Sequence, residues 1–281
     1  MTPGADRTAD PVTGMTWWGR VFARGTVGGN HTVVVPPGRP VADLAAAAAR
    51  MGVPDTAFIT SYRPDSVTLR TFSPVEEIGQ CLQTSLAVLT ALDVPDRTPW
   101  YVQHEHGEQL VVHREGAVTW ARSGGTGLPE LEEAGWPDFV GVDPAVASPP
   151  VIIRQVRSRV HLRCADAGQL AAAVVRARDV MALCARTGTN GLVLSAPVGP
   201  GEWRVRVFTT SLSGAEDSAT GGAVQGVGVL AALDGTHGDI RVCQGPQDPA
   251  RQGHLLLRIQ DGAVLLGGEV MTLLYGKPVL P

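Results

Sequence analysis

Lysine is nearly missing from this chain of 281 residues: Lys277 is the only one, so almost all of the 23 basic side chains are arginines. Acidic residues number 27, and the formal net charge of -4 leaves no basic footprint for a nucleic-acid backbone. The four cysteines (Cys81, Cys164, Cys184 and Cys243) are scattered and form no C-x-x-C pair. That argues against a disulfide framework and for a reduced, cytoplasmic compartment. No uncharged run approaches the roughly 20 residues that a membrane helix needs, so no membrane partner is expected. Residues 1–14 are rich in Thr, Pro, Gly and Asp, and read as a flexible tail without the apolar core of a signal peptide.

Several cofactor and catalytic signatures are missing too. Gly188-Thr189-Asn190-Gly191 reads as a helix-terminating turn, with no G-x-G-x-x-G after a strand. The segment from Ala196 to Gly201 lacks the lysine of a phosphate loop and reads as a proline-rich hairpin turn. No Ser-His-Asp arrangement can be read from spacing. His104, His106 and His113 fall on a hairpin, where an exposed polar face is expected rather than a metal site. Neither a cofactor nor a metal is therefore anticipated.

What is present is ample core material, with 44% hydrophobic and 18% charged residues. The most informative feature is a segment that occurs twice. Leu69-Arg70-Thr71-Phe72-Ser73-Pro74 leads to Gly79-Gln80-Cys81 and an apolar run from Leu82 to Leu92. Val205-Arg206-Val207-Phe208-Thr209-Thr210 leads to Asp217-Ser218-Ala219-Thr220-Gly221-Gly222 and a run from Ala223 to Leu233. Aligning Phe72 with Phe208 and Gly79 with Gly221 leaves the second copy six residues longer. Each copy reads as a strand, a turn and a glycine at the mouth of a helix that is apolar all round and hence buried. Two such units facing each other would aim two helix N-termini at one point, an anion-binding geometry.

The remaining pattern repeats in order. Strands are expected at 17–22, 32–35, 57–59 and 67–72, with an alanine-rich helix from Pro40 to Met51 closed by Gly52. Short alternating strands follow at 101–106, 108–113 and 117–121. Residues 123–150 are rich in Gly and Pro and mark a boundary. The second half replays strands at 151–156 and 159–163, a helix at 167–186, strands at 191–195 and 202–208, the apolar helix, and strands at 239–242, 254–259 and 270–274. The fold class is α+β: two similar barrel-like domains, residues 15–140 and 150–275, each a strongly bent, mostly antiparallel sheet around a central helix. Residues 276–281 form a terminal segment that could cross back to the first domain.

On these residues the chain resembles the phenazine-biosynthesis-type isomerases, which share a fold with diaminopimelate epimerase. Gly29-Asn30 after a first strand ending in Phe22, Asp55-Thr56-Ala57-Phe58-Ile59, Thr71-Phe72-Ser73-Pro74 with Gly79-Gln80, and the stretch from Glu216 to Ala223 are similar to that family's motifs in the same order. The resemblance spans roughly residues 16–276. It implies cofactor-independent proton shifts on small carboxylated substrates in a cleft between domains, and it brings the expectation of a homodimer. Family members often serve secondary-metabolite pathways, including relatives that act on diene intermediates of alkylproline units in antibiotic assembly.

The chain departs from the family at several site positions. The usual glutamate is Asp55, one methylene shorter and so about 1.5 Å less in reach. The usual histidine is Gln80, which hydrogen-bonds but takes no proton near neutrality. The usual serine is Gly222, and the loop between Phe72 and Gly79 is shorter than the family's. The resemblance thus assigns Asp55 as acid/base, Asp217 as its acidic partner and Gln80 as a positioning donor. Asn30, Gly79, Cys81, Thr220, Gly221 and Gly222 would contact the substrate. Two other readings stay open at this level: chemistry at Cys81, and a catalytically silent relative that binds a metabolite or a partner protein. A racemase with paired thiols is disfavoured, because Cys81 has no counterpart near Gly221-Gly222.

Overall fold

A computed structural model describes residues 14–38, 41–123, 128–246 and 248–277. Most of the expected tail and of the terminal segment lies outside these residues. The first half begins with β1 (Thr16–Ala23), β2 (Asn30–Val35), α1 (Leu44–Met51), β3 (Asp55–Arg63), β4 (Ser66–Phe72) and β5 (Glu77–Ile78). It continues with α2 (Leu82–Ala91), β6 (Trp100–His104), β7 (Gln109–Glu115) and β8 (Val118–Ser123), and β9 (Leu131–Glu133) follows. The second half contains β10 (Val151–Ile153), β11 (Arg159–Arg163), α3 (Ala167–Ala172), α4 (Ala177–Thr187), β12 (Gly191–Gly199), β13 (Glu202–Thr209) and β14 (Glu216–Asp217). Then come α5 (Gly221–Leu233), β15 (Gly238–Gln244), β16 (Gly253–Gln260) and β17 (Ala263–Gly276).

Both halves use one pairing scheme. The first runs β1, β2, β3, β4, β6, β7, β8, antiparallel except for the parallel pairs β2–β3 and β4–β6. The second runs β10, β11, β12, β13, β15, β16, β17 with parallel pairs at β11–β12 and β13–β15. The long strand β17 closes the first half into a barrel, because it pairs with β8 and then with β1. In return, β9 leaves the first half and pairs with β10. The halves therefore trade strands, and one sheet runs through both.

Each barrel is filled by its apolar helix. Leu86, Ala87, Val88 and Leu89 of α2 are buried, as are Ala223, Val224, Val227 and Val229 of α5. Neither helix carries a charge, so every face can enter the core. Burial of such side chains stabilises by roughly 1.5–3 kcal/mol each relative to exposure.

Three local expectations change. The helix expected from Pro40 starts only at Leu44, where the Asp43 carboxylate accepts from the Ala46 amide at its N-cap. The single helix expected over 167–186 is broken into α3 and α4. The Arg206 guanidinium reaches in from β13 and donates to the carbonyls of Leu170 and Ala173 at 3.3 and 2.7 Å, occupying acceptors that a continuing helix would use. Finally, His104 is buried rather than exposed: its Nε2 lies 2.9 Å from Ser85 Oγ of α2, and burial lowers its pKa to about 4.

The repeat is real, but its register differs from the glycine alignment. In β4–β5 Thr71 faces Ile78 and Phe72 faces Glu77; in β13–β14 Val207 faces Asp217 and Phe208 faces Glu216. Glu77 therefore answers Glu216, Ile78 answers Asp217, and Leu82 answers Gly221, so the second copy is three residues longer, not six. The ion pairs agree, since Arg70 holds Glu77 and Arg206 holds Glu216, both at 2.8 Å.

Candidate active site

A cavity of about 380 Å³ opens where the two halves meet, within the size range of small-molecule sites. Its floor is set by the helix mouths. A Cβ on Gly221 would stand 3.0 Å from Leu82 Cβ and 2.6 Å from Leu266 Cδ2, so α2 and α5 meet at their first residues, where any larger side chain would crowd its neighbours. The first residues of both helices, Leu82, Gln83, Gly221 and Gly222, consequently line one space, the placement that suits anion binding at helix N-termini.

Asp55 enters the cavity from the first residue of β3, and Asp217 from the last residue of β14. Burial raises the pKa of Asp55 to about 7, and the nearby charge of Asp217 pushes it the same way. Arg157 and a hydrogen bond from Cys81 oppose that shift without cancelling it. Asp55 retains some exposed surface toward the cavity, although protein atoms crowd it on the other sides.

Asp217 is wired differently. Asn30 Nδ2 donates to its Oδ1 at 2.7 Å, Thr220 Oγ1 donates to its Oδ2 at 2.5 Å, and the Ala219 amide donates at 3.5 Å. Gln244 secures this cradle by donating to Thr220 Oγ1 and accepting from the Thr220 amide, both at 2.9 Å. Burial still raises the Asp217 pKa, but these donors favour its ionised form. Of the two carboxylates, Asp217 is thus equipped to hold a negative charge, while Asp55 exchanges a proton near neutrality.

The structure places the expected site residues unevenly. Gln80, Cys81, Thr220, Gly221 and Gly222 all line the cavity with the two aspartates. Gln80 makes no hydrogen bond among the described residues, which leaves its amide free for a ligand. The Cys81 thiol is pushed well above its usual range, first by burial and then by the Asp55 charge, so it stays protonated. Asn30 is buried and touches Asp217 rather than lining the cavity. Gly79 also lies off the cavity lining: it precedes the mouth of α2 by three residues and faces the His106 carbonyl. Among the described residues no group of three or more His, Cys, Asp or Glu side chains could hold a metal ion.

Arginines are the residues that sequence reasoning missed. Arg122, Arg154, Arg157 and Arg159 all reach the cavity lining. Arg157 is paired with Glu76 at 2.8 Å and Arg154 with Glu132. Arg159 is 4% exposed and forms no ion pair among the described residues, and burial lowers its pKa to about 9. A strand with arginines at 159 and 163, preceded by Arg157 in the turn, gave no local signal that one of them faces inward.

A family model described as Phenazine biosynthesis-like protein (PhzC-PhzF) matches residues 20–276, which is nearly the whole described chain. The chain belongs to the phenazine biosynthesis-like protein family. Solved structures share the fold at low identity. A PhzF-family protein from Enterococcus faecalis is 19% identical with a TM-score of 0.76, over 95% of this chain and 99% of that one. A predicted epimerase from Pseudomonas aeruginosa is 21% identical with a TM-score of 0.77 over the same shares. A probable proline racemase from Agrobacterium radiobacter, with bound carbonate, is 12% identical with a TM-score of 0.64, over 95% and 93%. No curated protein matches the chain. The fold of this family member is thus shared with a predicted epimerase and a probable proline racemase. None of the helices in the described residues is long and apolar enough to cross a membrane.

Proposed function

We propose that this protein is a cofactor-independent isomerase that moves a proton, and with it a double bond, on a small unsaturated amino or carboxylic acid. The observation that carries this reading is Asp55, a carboxyl group with a pKa near 7 at the wall of a small cavity, facing a second acid that is held by hydrogen-bond donors. A group poised near the working pH is suited both to take a proton and to return it.

In this mechanism the Asp55 carboxylate takes a proton from a carbon next to the conjugated system. The C–H electron pair moves into that system, and the resulting anion is stabilised by the amides at the helix mouths. The proton on Asp55 exchanges with solvent through the open cavity. The protonated group then delivers a proton to a different carbon, so the double bond shifts and the substrate's composition is unchanged. Burial keeps the Asp55 pKa high, the charge of Asp217 adds to it, and the Gln80 amide orients the substrate. The secondary-metabolite setting suggested by the family's motifs, an alkylproline-type diene included, belongs to this proposal, as does a homodimer.

The test is deuterium incorporation in heavy water with a panel of small unsaturated amino acids and cyclic dienes. The wild-type protein is expected to wash label into one of them, and Asp55→Asn to lose that exchange. Exchange of equal rate in Asp55→Asn would remove this residue from the chemistry and overturn the mechanism.

A further inference from the structure

The two helix mouths are not equivalent receptors. At the mouth of α2, Gln83 is buried and its amide is already used: Nε2 donates to Thr32 Oγ1 at 2.8 Å, and Oε1 accepts from Asn30 at 3.4 Å. The register makes Gly222 the counterpart of Gln83 at the mouth of α5, and Arg159 the counterpart of Thr32. No side chain fills the α5 mouth. The Arg159 guanidinium lies beneath it instead, and a Cβ on Gly222 would stand 3.2 Å from Arg159 Nη1.

Arg159 is underused where it sits. Nη1 donates to the Arg157 carbonyl at 2.9 Å, which is its single hydrogen bond among the described residues, and the buried Nε has no partner. Asp217, the nearest acid, is occupied by Asn30 and Thr220 and forms no ion pair with Arg159. A guanidinium this deeply buried and without a counter-charge is costly unless a ligand supplies one.

We infer that Arg159 is the receptor for a substrate carboxylate, which it binds together with the amides of Gly221 and Gly222 at the mouth of α5. This anchor rests on the cavity of the proposed isomerase being the substrate site, and it assigns the anion to one helix mouth rather than to both. A guanidinium matches a planar carboxylate through two parallel hydrogen bonds, and the bare backbone at Gly222 leaves room for that group to approach. A carboxylate anchored there leaves the rest of a small substrate to extend across the cavity toward Asp55.

The test is made in the Asp55→Asn background, so that binding is read without turnover. Titration calorimetry compares cyclopentene-1-carboxylate with cyclopentene-1-carboxamide, with inorganic phosphate as a further ligand. The acid is expected to bind at least about tenfold more tightly than the amide, as a charge-assisted pair implies. Arg159→Met is expected to bring the two affinities together, Arg159→Lys to restore part of the preference, and Gly222→Ala to weaken the acid alone by displacing the guanidinium. Thermal unfolding confirms that each variant is folded, and the glycine variant carries the test if Arg159→Met is not. A preference for the acid that survives both substitutions would overturn the assignment. So would equal affinity for acid and amide in the parent protein, no binding of the acid at millimolar concentration, or Arg159-dependent binding of phosphate alone. Absence of deuterium exchange in the wild-type protein, with this preference intact, would instead remove the proposed reaction and leave the anchor standing.

Discussion

The two halves share a scaffold down to single ion pairs and differ where that scaffold meets the cavity. Arg70 pairs with Glu77 and lies over Phe72 at 5.2 Å; Arg206 pairs with Glu216 and lies over Phe208 at 5.3 Å. Yet Asp55 has Gly191 as its counterpart, because Thr56 and Leu192 face Phe72 and Phe208 in equivalent registers. A Cβ at Gly191 would lie 2.4 Å from the Phe208 carbonyl oxygen, so the second half has no room for that carboxylate. Asp217, in turn, has Ile78 as its counterpart. The two acids are thus not symmetry mates: each half contributes one, from a different place in the repeat. A site of two equivalent acid/base groups would suit an enzyme that handles both faces of one carbon. An unequal pair, one acid near neutrality and one cradled by donors, suits a single group that moves a proton between two carbons of one substrate.

The sharpest way to break this inequality is Asp55→Asn. Removing a general acid/base typically costs about 10²–10⁴-fold, and a loss of roughly 10³ in exchange rate is expected here, measured by NMR in heavy water. With the wild-type protein, kcat/KM should rise with pH through about 7 and level off above it, since the ionised Asp55 is the base. The same substitution should stabilise the fold at neutral pH. The native state holds the Asp55 proton more tightly than the unfolded chain, so between the ordinary carboxylate value and about 7 the native state binds more protons, and stability falls as pH rises through that window. Asp55→Asn abolishes this loss. At pH 8 a gain on the order of 3 kcal/mol is expected by denaturant unfolding, vanishing near pH 4, where the wild-type carboxyl is protonated in the native state. A variant less stable than its parent at pH 8 would show that Asp55 is not the strained member of the pair.

Asp217→Asn probes the other side of the inequality. It removes the charge that helps hold the Asp55 pKa up, so the midpoint of the pH–rate profile should move to more acidic pH by about one unit or less. Burial is the larger cause and remains in the variant. An unchanged midpoint would mean that burial alone sets the value.

Much of this inequality was legible in the sequence, and the part that was not has an identifiable cause. The apolar helices α2 and α5 could be read because a helix without charge has only one place to go. The stretch from Glu216 to Ala223 pointed to Asp217 because its residue types and order are specific. The glycine alignment failed because Gly79 and Gly221 look alike as letters while strand pairing, a nonlocal property, sets the register. His104 was misplaced because alternation along a hairpin strand does not tell which of its faces is inside. Arg159 was invisible for a similar reason: its meaning lies in the empty space at Gly222, on another element, 63 positions further along the chain. Residues that act through their own chemistry could be read singly, whereas residues that act through what a neighbour lacks needed the fold.

The smallest expected effect concerns the scaffold itself, where the halves look most alike. Arg70 and Arg206 hold equivalent glutamates, but only Arg206 also donates to the carbonyls of Leu170 and Ala173 and so ends α3. The Arg206–Glu216 pair is the more buried of the two, with side chains 21% exposed, against 33% and 26% for Arg70 and Glu77. Truncating a half-exposed pair removes little because water replaces much of the attraction, so Arg70→Ala should cost about 1 kcal/mol or less. Arg206→Ala strips donors from two carbonyls as well as from Glu216, and should cost about 2 kcal/mol. Equal costs in chemical denaturation would mean that the break between α3 and α4 is set by the local chain and not by the arginine. A larger cost at Arg206, accompanied by faster amide exchange in α3, would show that the second copy of the repeat has gained a structural task that the first never acquired.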